Sequence, residues 1–533
     1  MEYFYTFAEH WRTFFYDWGY LKDTGGRVGG FATLLSDFFL QFSVTPFLGT
    51  LIMLVELGLV VWLLDRLTAK VSGTHFLLPM AFLPVLALLV MHSNVNYNLG
   101  GTAALILMLA CANWQRSFSD FRCRMVFSMV SAAAMLLLCG PVAALYVVVL
   151  LLIEISDSPL RGLYFFLPVA LVALFGQCCV WLGWTADLRH TLLPYGYFNL
   201  MLSGGSILVL PWGFLLADVA VACLWGVFKP CAKWLVWTLF AAQVAVTVWF
   251  GAVRLPKYFD KGNLFLMELS YEVAQEDWDG VLDTCSGTPM KNLVHQNYLN
   301  MALAEKNMLG DYLFTYPSYD IQSIYVKETR NPWLYPVLSD VYFSMGHMAL
   351  SQRHAFEALQ TFGNYSPRLL KRLVQTNEVL GYDQVGAKYR RLLSKTLFYK
   401  KWANEYIVPD DVMECVMPDN NFSGEKGLDR DLAQIVKVAP AHRQTAQYLG
   451  SLCLLLRDID RFRGFLETFY GTDALPEVLP TAFQEGVVAF AKGDEAILKH
   501  YNIDQEVISR FETYRGSHLK EKNSFWYFIN DKL

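Results

Sequence analysis

Glu9, Asp17, Asp23 and Asp37 are four carboxylates in the first 40 residues, a stretch otherwise dominated by aromatic side chains. Carboxylates gathered this way hold a divalent cation or act as a general base. The plainer reading is the solvated face of two surface helices. Between Asp23 and Asp37 runs Gly25-Gly26-Arg27-Val28-Gly29-Gly30, whose glycines let backbone N–H groups approach an anion. The run matches neither G-x-x-x-x-G-K-[ST] nor G-x-G-x-x-G and follows no strand, so a flexible turn competes with a phosphate cradle. Arginine suits a phosphate because its planar fork binds two oxygens. That adds Arg27 and, on a later loop, Arg189 with Asp187 and His190; His92, Asn94, Asn96 and Asn98 lie on a further polar loop. The candidate site is therefore Asp17 and Asp23 as catalytic carboxylates, with Arg27, Arg189 and His190 binding substrate if these loops converge. Glu56 and Asp218 interrupt apolar stretches, where an ionisable group is costly and marks either function or a tie between helices.

Something must hold these residues, and the composition indicates what. Of 533 residues 54% are hydrophobic and 17% charged, and the charges are uneven. Residues 1–250 carry 12 Lys/Arg and 12 Asp/Glu, whereas the remainder carries 31 and 36. A single soluble domain, a disordered chain and a basic nucleic-acid binder are excluded. An all-α protein remains, with a polytopic helical membrane domain followed by a soluble α-solenoid. Residues 45–64, 163–183, 206–228 and 231–250 are long enough to cross a bilayer. The shorter runs 76–91 with 97–113, and 125–139 with 140–155, are two short spans each or re-entrant hairpins, giving about 6–8 spans or hairpins. Residues 1–44 read as an outward-facing juxtamembrane segment, 45–253 as the transmembrane domain and 254–533 as a periplasmic helical-repeat domain. Phe4, Phe7, Ala8, Trp11, Phe14, Phe15 and Trp18 share one helical face, the pattern of an aromatic helix lying at the headgroups.

Basic residues in short loops set the orientation. Arg66, Lys70, Arg116, Arg122, Arg124, Arg161, Lys229 and Lys233 fall on one set of alternate loops, against Arg189 alone on the other. The first set is cytoplasmic. The 92–98 loop, the 184–205 loop, the N-terminus and the C-terminal half then face outward, which in a bacterial inner membrane is the periplasm. Beyond about Leu255, helix–turn–helix units recur, as in Asn297–Ala304 with Leu309–Tyr312 and Tyr342–Ala349 with Ala355–Leu359. Their small residues and early aromatics are like those of tetratricopeptide repeats. Segments 315–331 and 408–429 read as interrupting loops. Ten cysteines without a C-x-x-C pair imply neither a disulfide framework nor a structural zinc site.

Phe14-Phe15-Tyr16-Asp17-Trp18-Gly19-Tyr20, the Gly25–Gly30 turn, Leu34 to Gln41 and Thr45-Pro46-Phe47-Leu48-Gly49 resemble an uncharacterised family of multi-pass membrane proteins from Bacteroidota with a helical-repeat C-terminal half. Its members normally carry a transmembrane helix before the aromatic segment, which implies a missing first span here. The layout is distantly similar to GT-C-type glycosyltransferases, in which an outward acidic residue helps a metal position a lipid-linked sugar phosphate. That similarity implies transfer of a lipid-linked sugar, with a divalent cation as the one cofactor and membrane lipids as partners. The alternative is a non-enzymatic scaffold whose solenoid docks another envelope protein.

The loop charges predict that residues 254–533 lie outside the cytoplasm. Alkaline phosphatase fused after Leu533 is expected to be active in cells, and activity only of a cytoplasmic reporter at that point would refute the topology.

Overall fold

The computed structural model describes residues 3–198, 206–228, 233–288, 290, 292–316, 320–329, 331–416, 427–516 and 522–530. Lys229, Cys231 and the distal part of the 184–205 loop lie outside the described residues, as does much of 408–429. The described chain is helical; its only β pairings are the isolated bridges Tyr97–Phe198 and Tyr470–Leu475. It divides into two compact units, Met1–Met267 with Thr396–Phe398, and Glu268–Lys395 with Tyr399–Leu533.

Unit 1 begins with α1 (Tyr3–Trp11), α2 (Trp18–Gly25) and α3 (Gly30–Leu40). It continues through α4 (Pro46–Ser72), α5 (Leu78–His92), α6 (Gly100–Gln115), α7 (Phe121–Cys139), α8 (Val142–Asp157) and the short α9 (Pro159–Gly162). The last elements are α10 (Phe166–Trp181), α11 (Leu188–Leu192), α12 (Leu210–Phe228) and α13 (Lys233–Trp249). Thr45 caps α4 by accepting from the Leu48 N–H, and Pro46 needs no donor at its first position. At 27 residues α4 is about 40 Å long. It buries Met53, Leu57, Val60, Leu64 and Leu67 and turns Leu51, Leu54, Val55 and Trp62 outward. An outward apolar stripe is what a bilayer requires. Among the described residues five helical stretches are long and apolar enough to cross one: Pro46–Ser72, Phe121–Cys139, Pro159–Trp181, Leu210–Phe228 and Trp234–Lys257. Unit 1 is a helical membrane domain.

The two ambiguous pairs run from one end of the bundle to the other. At one end Lys70 Nζ donates to the Asn113 carbonyl, Arg116 meets Asp157, and Ser156 Oγ donates to the Cys223 carbonyl. At the opposite end the Asn98 N–H donates to the Tyr197 carbonyl, and the Tyr197 hydroxyl donates to that of Cys139. Thus α5 with α6, and α7 with α8, are antiparallel helix pairs running between the same two ends of the bundle. Three of these four helices have 15 or 16 residues and so reach only about 22–24 Å.

Two boundaries differ from the sequence reading. The membrane unit continues past residue 253 to Met267, because Leu255 packs into the cluster of Leu83, Val90 and Phe250. The aromatic segment is also no half-exposed surface helix. In α1 both faces are covered, so Glu9 and His10 are buried along with Phe4, Tyr5, Phe7 and Trp11. The backbone of α4 allows this at Gly49, where an added Cβ would lie 2.9 Å from that of Tyr5.

Unit 2 is assembled from helix pairs. They are α14 (Lys261–Ala274) with α15 (Trp278–Cys285), α16 (Leu293–Glu305) with α17 (Leu309–Tyr312), α18 (Leu334–Ser344) with α19 (Met348–Phe362), and α20 (Pro367–Val379) with α21 (Asp383–Leu393). The short α22 (Lys400–Glu405) and α23 (Asp410–Met413) come next, before α24 (Leu428–Val438) and the pair α25 (Arg443–Leu455) with α26 (Ile459–Phe469). Then come α27 (Thr481–Ala491) with α28 (Glu495–His500), α29 (Gln505–Gly516) and α30 (Phe525–Asn530). One turn recurs. A residue with positive φ follows the first helix at Glu276, Asn307, Gly346, Gly381, Arg457 and Lys492. The second helix is capped just after it by a side chain such as Asp277, His347, Asp458 or Asp494.

The pairs do not form an open horseshoe. α17 packs on α25 and α27, with the Gly310 N–H donating to Gln447 Oε1 and the Thr481 N–H to Asp311 Oδ1. Thr445 Oγ1 donates to the Met345 carbonyl. The first helices of these pairs are therefore buried on nearly every side, and α16 and α25 bury ten or more residues each.

Within this packing, His354 stacks on Tyr342 at 5.3 Å, and neither ring nitrogen has a hydrogen-bond partner. Burial pulls its imidazole down to about 4. A histidine neutral in the fold, but titrating near 6.5 when unfolded, contributes fully above pH 6.5 and loses that contribution as pH falls toward 4. Acidifying the full chain from pH 7 to 4.5 is expected to cost about 2 kcal/mol at this residue. His354→Phe keeps the stack and should flatten the fall in melting temperature; parallel acid profiles for both proteins would refute the assignment.

Candidate functional site

Asp17 caps α2, its Oδ2 accepting from the Tyr20 N–H at 3.4 Å. Asp23 and Arg27 are exposed on α2 and the turn after it. Arg189 is exposed on α11. His190, half-buried beside it, is tied to Asp187, whose Oδ1 takes both the His190 backbone N–H and ring Nδ1 at 2.8 Å. That backbone bond, followed by the ring contact, holds the Asp187 carboxyl below the usual carboxylate range. These five candidates are helix-end and loop side chains.

The 92–98 loop and the described part of the 184–205 loop do converge, through other residues. Tyr97 pairs with Phe198, and Tyr197 ties the 92–98 loop to the α7–α8 break, accepting there from the Val142 N–H. The Gly-rich turn joins them: the Gly29 N–H donates to the Leu137 carbonyl at 2.9 Å. Gly29 (φ +80°) and Gly140 (φ +78°) meet so closely that a Cβ on either would lie 3.3 Å from the other segment's backbone. Gly29 therefore allows helix packing rather than anion binding, with Arg27 outside the contact.

Beneath this surface lie two buried polar clusters. In the first, Arg12 Nε and the Tyr20 hydroxyl both donate to Asp37 Oδ2, at 2.8 and 2.7 Å, and Asp37 is 1% exposed. In the second, the Tyr5 hydroxyl donates to Glu56 Oε2 at 2.6 Å. Close by, His92 stacks on Phe4, meets the Tyr5 ring edge-on and shares Thr102 Oγ1 with the Tyr97 hydroxyl. Of the four N-terminal carboxylates, the two that burial singles out are Glu9 and Asp37. The partners of Asp37, Arg12 and Tyr20, are 25 and 17 residues away, so charge type alone did not distinguish it.

The opposite end carries a third network that the sequence had marked only as loop charge. Glu154, buried on α8, takes Arg124 in a two-point contact at 2.8 and 3.1 Å and Gln115 Nε2 at 3.1 Å. Arg116 bonds Asp157 at 2.6 Å. Among the described residues no group of three or more His, Cys, Asp or Glu is placed to hold a metal ion.

Unit 2 holds one more charged constellation. Asp340 on α18 accepts from Arg368 at 2.6 Å and from Arg372 at 3.0 Å, both on α20. Arg368 also donates to the Ser270 carbonyl and hydroxyl and to the Tyr298 hydroxyl. Arg372 lies over the Phe343 ring at 3.7 Å, its Nε and Nη1 buried without an acceptor. Burial pushes the nearby Glu305 carboxyl up, while Arg372 acts against that shift. Two guanidiniums thus share one carboxylate.

Residues 1–530 match the family of unknown function DUF6057. The chain belongs to that family. No curated protein and no solved structure matches this DUF6057 member.

The Arg12–Asp37 bond gives a test of which polar contacts hold the membrane unit together. Arg12→Gln leaves a buried carboxylate without its ion and is expected to cost about 3–5 kcal/mol. The double change Arg12→Met/Asp37→Leu should recover most of it. A melting temperature for Arg12→Gln in detergent that falls no further than an exposed pair's loss, about 0–1 kcal/mol, would overturn the assignment.

Proposed function

We propose that this protein is a membrane-anchored helical-repeat protein that docks another envelope protein through unit 2. In this reading unit 1 fixes the chain in a bacterial inner membrane and unit 2 faces the periplasm. The observation that carries it is the Asp340–Arg368–Arg372 constellation. Two arginines share the Asp340 carboxylate, and the Arg372 side chain, 17% exposed, keeps buried donors for which the fold supplies no acceptor. A guanidinium in that state favours a carboxylate, either an acidic side chain or a chain terminus of the partner. α17 packs on α25 and α27, so in this reading docking falls to the side of unit 2 that carries Arg368 and Arg372 on α20.

The runner-up is transfer of a lipid-linked sugar at the outer face, with a divalent cation. It has weaker support. Asp37 and Glu56 are bonded to Arg12 and Tyr5, and Asp17 caps a helix, which leaves Asp23, Arg27 and Arg189 on exposed positions.

A photo-crosslinking residue at Gln375, one turn from Arg372, tests the docking reading in cells. A discrete adduct with a second envelope protein is expected. Arg372→Met, which keeps the stem over Phe343 but removes the charge, should cut its yield at least tenfold under conditions where the variant remains fully folded. A yield that Arg372→Met leaves intact, or no adduct together with sugar transfer by the purified protein, would overturn it.

A further inference from the structure

Among the described residues of unit 1, Asp218 stands apart from the carboxylates tied to other helices. It lies on α12 within a candidate span, is fully buried, and neither carboxyl oxygen has a hydrogen-bond partner. An ionised carboxylate in that position, without a counter-charge, would carry a desolvation cost of several kcal/mol.

The surroundings supply a negative neighbour rather than a positive one. α12 and α4 run in the same direction and touch where Gly226 meets Val71, an added Cβ lying 2.8 Å from the Val71 carbonyl oxygen. Asp218 is about 12 Å back from that contact along its helix and Asp65 about 9 Å back along its own, so the two carboxyls stand at one level. Asp65 keeps one oxygen, Oδ1, without a partner. Its other oxygen meets His75 Nδ1 at 2.7 Å, and the His75 side chain is 74% exposed.

The other charged groups on the helices packed against α12 are engaged or distant. On α4, Glu56 is bonded to Tyr5, Lys70 to the Asn113 carbonyl, and Arg66 lies over Trp62. On α8, Glu154 and Asp157 are held by Arg124 and Arg116. On α5, His92 is at the opposite end, against Thr102.

We infer that Asp218, Asp65 and His75 form a proton site inside the membrane unit, in which Asp218 carries the proton and Asp65 and His75 link it to water at the end bearing Arg116 and Arg124. The exchange step moves one proton and nothing else. Asp218 gives its proton, across a water between the two carboxyls, to Asp65, which passes it to the His75 ring and so to solvent, and the return runs in reverse. The site is independent of the docking surface in unit 2. It makes unit 1 an element that responds to proton supply rather than a passive anchor.

Infrared spectroscopy of the full chain in lipid tests this directly. At pH 7 the wild-type protein is expected to show the carbonyl stretch of a protonated carboxyl that shifts on transfer to deuterium oxide. Asp218→Asn, which keeps the shape, should lose that band. His75→Ala should keep the band but slow its isotope exchange, and Asp65→Asn should move the band's disappearance to lower pH, because the neighbouring negative charge is gone. No difference between wild type and Asp218→Asn overturns the site. So does a band that neither exchanges nor responds to His75→Ala, which would make Asp218 a sealed structural acid.

Discussion

A polar group taken out of water has to be answered inside the protein, and in unit 1 that requirement organises the fold. The helices of this bundle are held in register less by their apolar surfaces, which serve lipid and protein alike, than by polar ties at its two ends. Glu154 with Arg124 and Gln115, and Arg116 with Asp157, fix α6, α7 and α8 at one end. Tyr197, reaching both Cys139 and Val142, and Asn98 on the Tyr197 carbonyl fix them at the other. The N-terminal segment obeys the same rule. α1 can be buried because Arg12 answers Asp37 and Tyr5 answers Glu56.

This gives a physical reason for the split in roles among the carboxylates. Asp37, Glu56 and Glu154 each have a donor at hydrogen-bond distance and act as ties between helices. Asp218 has none and breaks the pattern. In a bundle where nearly every other buried ionisable group is answered, the unanswered one is where chemistry beyond packing is to be sought.

Unit 2 rests on a different device. Each helix pair turns through a residue of positive φ and starts its second helix on a capping side chain, so the pairs are alike locally despite little likeness in sequence. What makes a closed body of them is contact between distant pairs, α17 with α25 and α27. The same closure leaves the inner helices rich in buried polar groups, of which the Asp340–Arg368–Arg372 set retains unused donors.

The sequence by itself determined the helical class, the positions of the main spans and the alternation of basic loops. These follow from composition and periodicity within a window of about twenty residues, the range over which a bilayer or a helix face acts. It also marked Glu56 and Asp218 as residues needing an explanation, since a charge in an apolar run is visible without coordinates. The choice among the N-terminal carboxylates was not legible there. Asp17 and Asp23 differ from Asp37 only in what comes to meet them, and Arg12 is 25 residues from Asp37 as Tyr5 is 51 from Glu56. The burial of α1, the end-to-end passage of α5 to α8, and the closure of unit 2 were likewise decided only in the tertiary structure. Each depends on a pairing between segments whose local patterns permit several partners, and packing in three dimensions selects one.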